Sequence, residues 1–281
     1  MARHLIMLVA IVTGCAAPLL AHADPCAPLS GDKRALADKL TRETHPYECC
    51  DESLDRCLKQ AKVCRLARRL RDEICKRVAA GQEEPRIKTA LERRARSMLP
   101  GKRASIDVSG YEPAGEAKAK VVVVAYACAR CPFCSKVVPE LYRLVTTGSL
   151  KGKVALYLKP FPITGHPGAK EGGLALEAAT RLKKGWPYAL KLYSEFDRFE
   201  VGRLPDWATQ VGLAGDAFRT AMAAPATLQR LLASKKEGIR NGVDATPTLF
   251  LDGRKYQGEL GREVLPDVLE EEVDRAAGRQ Y

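Results

Sequence analysis

The segment that most constrains this chain is Val121–Tyr126, an unbroken stretch of apolar and mostly β-branched residues. Its length and composition predict a strand buried on both faces of a sheet. Five residues after Tyr126 comes Cys131-Pro132-Phe133-Cys134, and a helical period follows through Val137, Val138, Leu141, Leu144 and Val145. Two cysteines three apart on a first helical turn can join and separate with little backbone movement. Pro132 suits the helix start, where its missing N–H has no partner to lose. Free N–H groups and the positive end of the helix dipole favour a thiolate at Cys131, the form that attacks disulfides. Cys131 is therefore the expected nucleophile, exposed at the helix start, and Cys134 the buried resolving thiol.

Such a redox-active disulfide carries two electrons by itself, so no bound cofactor and no metal is expected. Phe133 neither carries charge nor donates a hydrogen bond, which argues against a very low Cys131 pKa. Arg130 adds positive charge nearby. Strand 121–126 offers no acidic side chain to take a proton from Cys134. Cys128 extends the motif to Cys128-x-x-Cys131-x-x-Cys134, the spacing that opens a ferredoxin-type cluster run, but position 138, where the fourth ligand belongs, is Val. Cys128 reads either as an auxiliary thiol beside the pair or as a disulfide partner for a cysteine of the Cys-rich N-terminal region. His166 is the only histidine after residue 45; with no serine motif beside it, a hydrolase triad has no support.

From about Lys120 to Gln257 the sequence resembles the DsbA-like branch of the thioredoxin superfamily. The resemblance rests on Cys131-Pro132-Phe133-Cys134, on Pro160-Phe161-Pro162 with His166-Pro167, and on Gly242 to Gly253 around Ala245-Thr246-Pro247-Thr248. It implies an α/β, thioredoxin-like fold with a helical insertion at about 168–240, preceded by a small all-α Cys-rich region. It also implies a cis proline at Pro247, with the Thr246 backbone holding an extended substrate segment beside Cys131. The implied activity is thiol–disulfide oxidoreduction on cysteine-containing client proteins of the cell envelope, served by a membrane redox partner. Threonine before the proline also occurs among isomerase-like and reductase-like relatives, so isomerisation or reduction stands as the alternative to oxidation. Asp252-Gly253 fits a tight hairpin turn on its own chemistry.

The remaining cysteines follow a different logic. A basic start and the apolar run Leu5–Val12 predict an export signal over residues 1–23, cleaved after Ala21-His22-Ala23. The alternative is a lipobox, Val12-Thr13-Gly14-Cys15, in which acylated Cys15 tethers the protein to a membrane surface. Either reading sends the chain to the periplasm or cell envelope, where disulfides persist. The net charge of +12 comes from basic residues interspersed with acidic ones, as in Arg68-Arg69-Leu70-Arg71-Asp72-Glu73. That pattern reads as solvated helix faces and not as a nucleic-acid site, with attraction to anionic headgroups or acidic clients as the sharper reading.

Residues 24–103 are expected to be helical, 104–118 to be a linker, and 119–281 to hold the redox domain. Over 51–80 the residues Leu54, Leu58, Ala61, Leu70, Ile74 and Val78 follow a helical period that stops at Gly81, and Pro85 opens a second helix over roughly 84–98. This region carries Cys26, Cys49, Cys50, Cys57, Cys64 and Cys75. On one continuous helix Cys50, Cys57 and Cys64 would sit ~10 Å apart in sequence order, too far to bond one another. Each would then bond to another segment and staple a helical hairpin; a metal site, a redox relay or a partner-binding module is the alternative. Six cysteines allow 15 pairings, so the disulfide pattern stays open, as does the oligomeric state. Residues 66–71 and 80–94 also resemble the helical hairpin of cytochrome c maturation thiol proteins, without their spaced cysteine pair, which implies a shape and no activity.

Overall fold

The structure, a computed structural model, describes residues 24–279 and 281. The signal and lipobox readings, with Cys15, fall outside that range. The N-terminal part consists of α1 (Gly31–Glu43), α2 (Leu54–Cys57), α3 (Arg65–Ala79) and α4 (Glu84–Met98). Its core is Leu40, Leu54, Leu70, Ile74, Val78 and Ile87, none more than 2% exposed. Gly81 takes the left-handed conformation, φ +73°, that lets the chain reverse between α3 and α4.

The single helix expected over 51–80 is in fact two, because the chain leaves the helix at Leu58 and resumes at Arg65, with Ala61 exposed. The cysteines supply the reason. Cys49 bonds Cys64, Cys50 bonds Cys57 and Cys26 bonds Cys75. Adjacent residues 49 and 50 can reach two different sulfurs only if the segment carrying those sulfurs turns. The Cys50–Cys57 bond, ruled out on a straight helix, forms because Cys50 lies ahead of α2, with the two Cα atoms 6.1 Å apart. All six sulfurs are therefore paired, which leaves no thiolate in this region for a metal and overturns the metal-site alternative.

The second part continues with β1 (Ala114–Gly115), β2 (Val121–Ala127), α5 (Cys134–Thr146) and β3 (Val154–Pro160). Five helices follow, α6 (Ala169–Arg181), α7 (Gly185–Ser194), α8 (Leu204–Gln210), α9 (Gly215–Ala223) and α10 (Pro225–Arg240). The chain ends with β4 (Thr248–Leu251), β5 (Arg254–Lys255) and α11 (Leu265–Ala276). The strand order is β1-β3-β2-β4-β5; β2 and β3 are parallel, and every other pair is antiparallel. The fold is thioredoxin-like, with helices α6–α10 set between β3 and β4. Central β2 is buried almost throughout, as its composition predicts. Asp252 and Gly253 adopt φ +46° and +81°, the left-handed pair a two-residue hairpin needs, and the Asp252 carboxylate accepts the Val122 N–H at 2.7 Å.

Residues 104–118, expected as a linker, lie against the sheet. The Ala104 N–H donates to the Gly253 carbonyl at 2.7 Å, Ile106 and Val108 pack beside Tyr126 and Phe250, and β1 extends the edge at β3. The helical part is also joined to α11 by buried charge. Arg94, 1% exposed, meets Glu73, Asp267 and Glu271 at 2.6, 2.7 and 2.6 Å. A guanidinium can be buried this way because its fork of donors is fully matched to carboxylates. Among the described residues no helix is long and apolar enough to cross a membrane.

Candidate active site

β2 delivers the chain to a tight turn in which the Cys131 N–H donates to the Cys128 carbonyl at 3.2 Å. α5 begins at Cys134, so Pro132 and Phe133 stand just outside the helix, with Phe133 69% exposed. Cys134 is fully buried at the head of α5, as expected. The exposure expected for Cys131 is not found: the residue is 3% exposed. Its thiol turns inward and donates to the Thr246 carbonyl at 3.1 Å, next to the cis Thr246–Pro247 peptide bond. The sequence-distant Thr246 and Pro247 are thus brought against the cysteine pair by β4, which pairs with β2 from Thr248 opposite Tyr126.

The Cys131 thiol is held well below the ordinary thiol range, at about 5. The largest cause is a hydrogen bond from the Cys134 thiol to the Cys131 sulfur, followed by the Cys134 N–H, the Thr246 side chain and the Phe133 N–H; burial opposes them. The phenylalanine therefore does not prevent a strongly depressed value, because the donors are backbone and neighbouring groups, not the Phe133 ring. Cys134 moves the opposite way, its thiol pushed far up by burial and by the bond it donates to Cys131. One sulfur is poised as a thiolate and the other is kept protonated. Arg130 is not among the main causes: its guanidinium donates to the Phe196 carbonyl at 2.8 Å and lies over the rings of Phe196 and Phe199.

Cys128 is buried and carries no disulfide, so the reading that pairs it with the N-terminal cysteines is overturned. Its sulfur lies 3.5 Å from His166 Nδ1 and accepts the Arg130 N–H at 3.4 Å, and burial raises its pKa. The Cys128 carbonyl accepts a second hydrogen bond, from the Tyr193 hydroxyl of α7 at 3.3 Å. Sequence reasoning did not single out Tyr193; inside Trp186-Pro187-Tyr188-Ala189-Leu190-Lys191-Leu192-Tyr193 it looks like any other core aromatic. It also missed the Thr246 hydroxyl, whose oxygen is buried without a hydrogen-bond partner.

A groove of about 880 Å³ opens beside the pair. Phe133, Lys136 and Val137 line one side, Thr246 and Pro247 the head, and Leu260 and Leu265 the far wall. A second groove, of about 580 Å³, runs between the loop holding His166 and the α10 residues Leu228 and Leu232; none of the three free cysteines lines either groove, and only the first is bounded by Phe133, Thr246 and Pro247.

The sequence profile of a family described as "Thioredoxin" matches residues 111–271. The chain belongs to the thioredoxin family. Solved thioredoxin-fold relatives agree on the architecture. BdbD from Bacillus subtilis superposes with a TM-score of 0.55 at 16% identity, covering 64% of this chain and all of that one. The thiol–disulfide exchange protein α-DsbA2 from Wolbachia pipientis gives 0.51 at 20% identity, covering 59% of this chain and 87% of its own. At such identities the likeness speaks for the fold alone. Among curated sequences, the Na(+)/H(+) antiporter NhaA 3 of Salinispora tropica is 28% identical over 180 residues, which are 62% of this chain and 27% of the antiporter. The NhaA antiporter of Herminiimonas arsenicoxydans matches over 105 residues, 17% of its length. The chain thus spans about a quarter or less of the curated relatives it matches.

Proposed function

We propose that this thioredoxin-family protein is an exported thiol–disulfide oxidoreductase that forms disulfides in cysteine-containing clients of the cell envelope. In the oxidised protein, a client thiolate attacks Cys131 Sγ, and the 131–134 bond breaks toward Cys134. The departing Cys134 thiolate takes up a proton, in keeping with its raised pKa. A second client thiolate then attacks the client sulfur of the mixed disulfide and expels Cys131 as a stabilised thiolate. The client loses two electrons and two protons overall, and the cysteine pair gains the electrons. A membrane redox partner would return the pair to the disulfide.

The observation that carries this reading is the placement of the two sulfurs, Cys134 buried at the head of α5 and Cys131 3.1 Å from the Thr246 carbonyl, an arrangement that lowers the Cys131 pKa and raises that of Cys134. A stabilised thiolate stabilises the reduced form, which makes the disulfide more oxidising and favours oxidation over isomerisation or reduction. The Thr246 carbonyl and the cis Pro247 bound the head of the groove, where an extended client segment would bind beside Cys131. Three structural disulfides support an oxidising compartment such as the periplasm.

A Cys134→Ala variant is the direct test: its Cys131 thiolate attacks the disulfide of an already oxidised client and expels one client thiolate, and with no Cys134 to resolve it the mixed disulfide on Cys131 should accumulate for mass spectrometry to name. Turnover that survives Cys131→Ser would refute the reading. A measured potential near about −270 mV, typical of thioredoxin, would transfer the assignment to reduction.

A further inference from the structure

The far wall of the groove, from Leu260 to Leu265, has little backbone support of its own. Among the described residues no N–H from 257 to 263 donates to another backbone carbonyl. The Tyr256 hydroxyl donates to the Glu259 carbonyl at 3.2 Å, and the Gly261 carbonyl accepts the Val264 and Leu265 N–H groups. Further supports come from the N-terminal helices. The Gln257 N–H donates to Ser97 Oγ at 2.8 Å, and that hydroxyl donates in turn to the Arg93 carbonyl at 2.7 Å, which turns its lone pairs toward Gln257. Glu259, next to wall residue Leu260, is held at 3.0 Å by Arg77 of α3. Arg77 is itself buried and locked by Glu73 and Gln82. Two residues past the wall, Asp267 is gripped by Arg69 and Arg94. Cys75, which the Cys26–Cys75 bond ties to the segment ahead of α1, lies two residues before Arg77.

We propose that Ser97 and Arg77 are positioning residues for the groove wall, so that the disulfide-stapled helical region determines which client segments fit beside Cys131. The inference rests on the reading of Cys131 and Cys134 as the redox pair and adds a role for the region that precedes it. The wall sets client chemistry too. Val137, Pro139, Leu260 and Leu265 make an apolar lining, while the only carboxylate, Glu140, is already engaged by Arg143 and approached by Arg262 at 3.7 Å. Lys136 has no ion-pair partner among the described residues. The matching client is an extended segment with an apolar side chain and an acidic flank near its cysteine.

The experiment compares two reactions of the full-length protein. One is oxidation of a synthetic peptide carrying two cysteines, leucines and a flanking aspartate; the other is reaction of the reduced pair with a small aromatic disulfide, which needs no groove. Ser97→Ala and Glu259→Gln should raise the peptide KM about tenfold, the loss of roughly one net hydrogen bond. In both variants kcat, the small-disulfide rate and the Cys131 thiolate titration should stay unchanged. Ser97→Thr, which keeps the hydroxyl, should restore the peptide KM. An unchanged peptide KM overturns the proposal, as does a parallel fall in the small-disulfide rate, which would mean general loosening. Glu259, at the more exposed end of its ion pair, keeps the test usable if Ser97→Ala folds poorly. Failure of the redox reading would look different, since wild type and Cys131→Ser would then react alike with the small disulfide.

Discussion

Replacing Thr246 by valine tests how the site makes its thiolate. The Thr246 hydroxyl oxygen is buried without a hydrogen-bond partner, and its side chain is one of the groups whose hydrogen bonding to the Cys131 sulfur lowers that thiol's pKa. Valine keeps the shape and removes that donor. A hydrogen bond to a charged group contributes about 1.5–3 kcal/mol, which is about 1–2 pKa units at 1.36 kcal/mol each. The Cys131 midpoint should therefore rise from about 5 into the range of about 6–7. Thiolate ultraviolet absorbance of the reduced protein against pH reads this directly. The same loss should make the reduction potential more negative by about 30–60 mV, since 1.4 kcal/mol is about 30 mV for two electrons. The oxidised protein should melt no lower than wild type, because the deleted hydroxyl had no partner to lose. A midpoint that stays near 5, or an oxidised protein that melts lower with the midpoint unmoved, would refute the reasoning.

Two further outcomes follow from buried charge. The folded Cys131 value of about 5 lies below the ordinary 9.0, so between these pH values the folded reduced state has released a proton that the unfolded chain keeps. Stability of the reduced protein then rises with pH through this window and is lost as pH falls toward 5; about 2–3 kcal/mol should disappear between pH 7 and pH 5. The disulfide form has no such group, so chemical denaturation of both forms at both pH values isolates the effect, and equal losses would contradict it. Arg94→Ala removes the guanidinium shared by Glu73, Asp267 and Glu271, each of which keeps a second arginine, Arg77, Arg69 and Arg275, and should cost about 2–4 kcal/mol. A shift of the urea midpoint worth less than ~1 kcal/mol would show that those carboxylates are solvated or protonated at little cost.

Much of the redox half was legible along the chain because its signals are local. A short apolar β-branched run favours a buried strand, a cysteine pair at helical spacing before an apolar period favours a helix start, and Asp-Gly between strands turns a hairpin. Residues 121–145 and 248–255 behave accordingly. The second helix of the N-terminal part, Glu84–Met98, likewise follows its proline and its period. The Cys-rich helix did not, since periodicity over 51–80 carries no record of disulfides formed with Cys49 and Cys50, and those bonds break the helix at residues 58–64.

Sequence alone determined where the strand, the cysteine pair and the hairpin lie, since each depends on neighbours within a few residues. Only the tertiary structure decided that Cys131 is buried against Thr246, that the Thr246 hydroxyl is buried beside it, and that Arg77 and Ser97 contact Glu259 and Gln257. The physical reason is distance along the chain. Hydrogen bonds and ion pairs between residues more than a hundred positions apart depend on how sheet and helices close around one another, and no window of sequence encodes that closure.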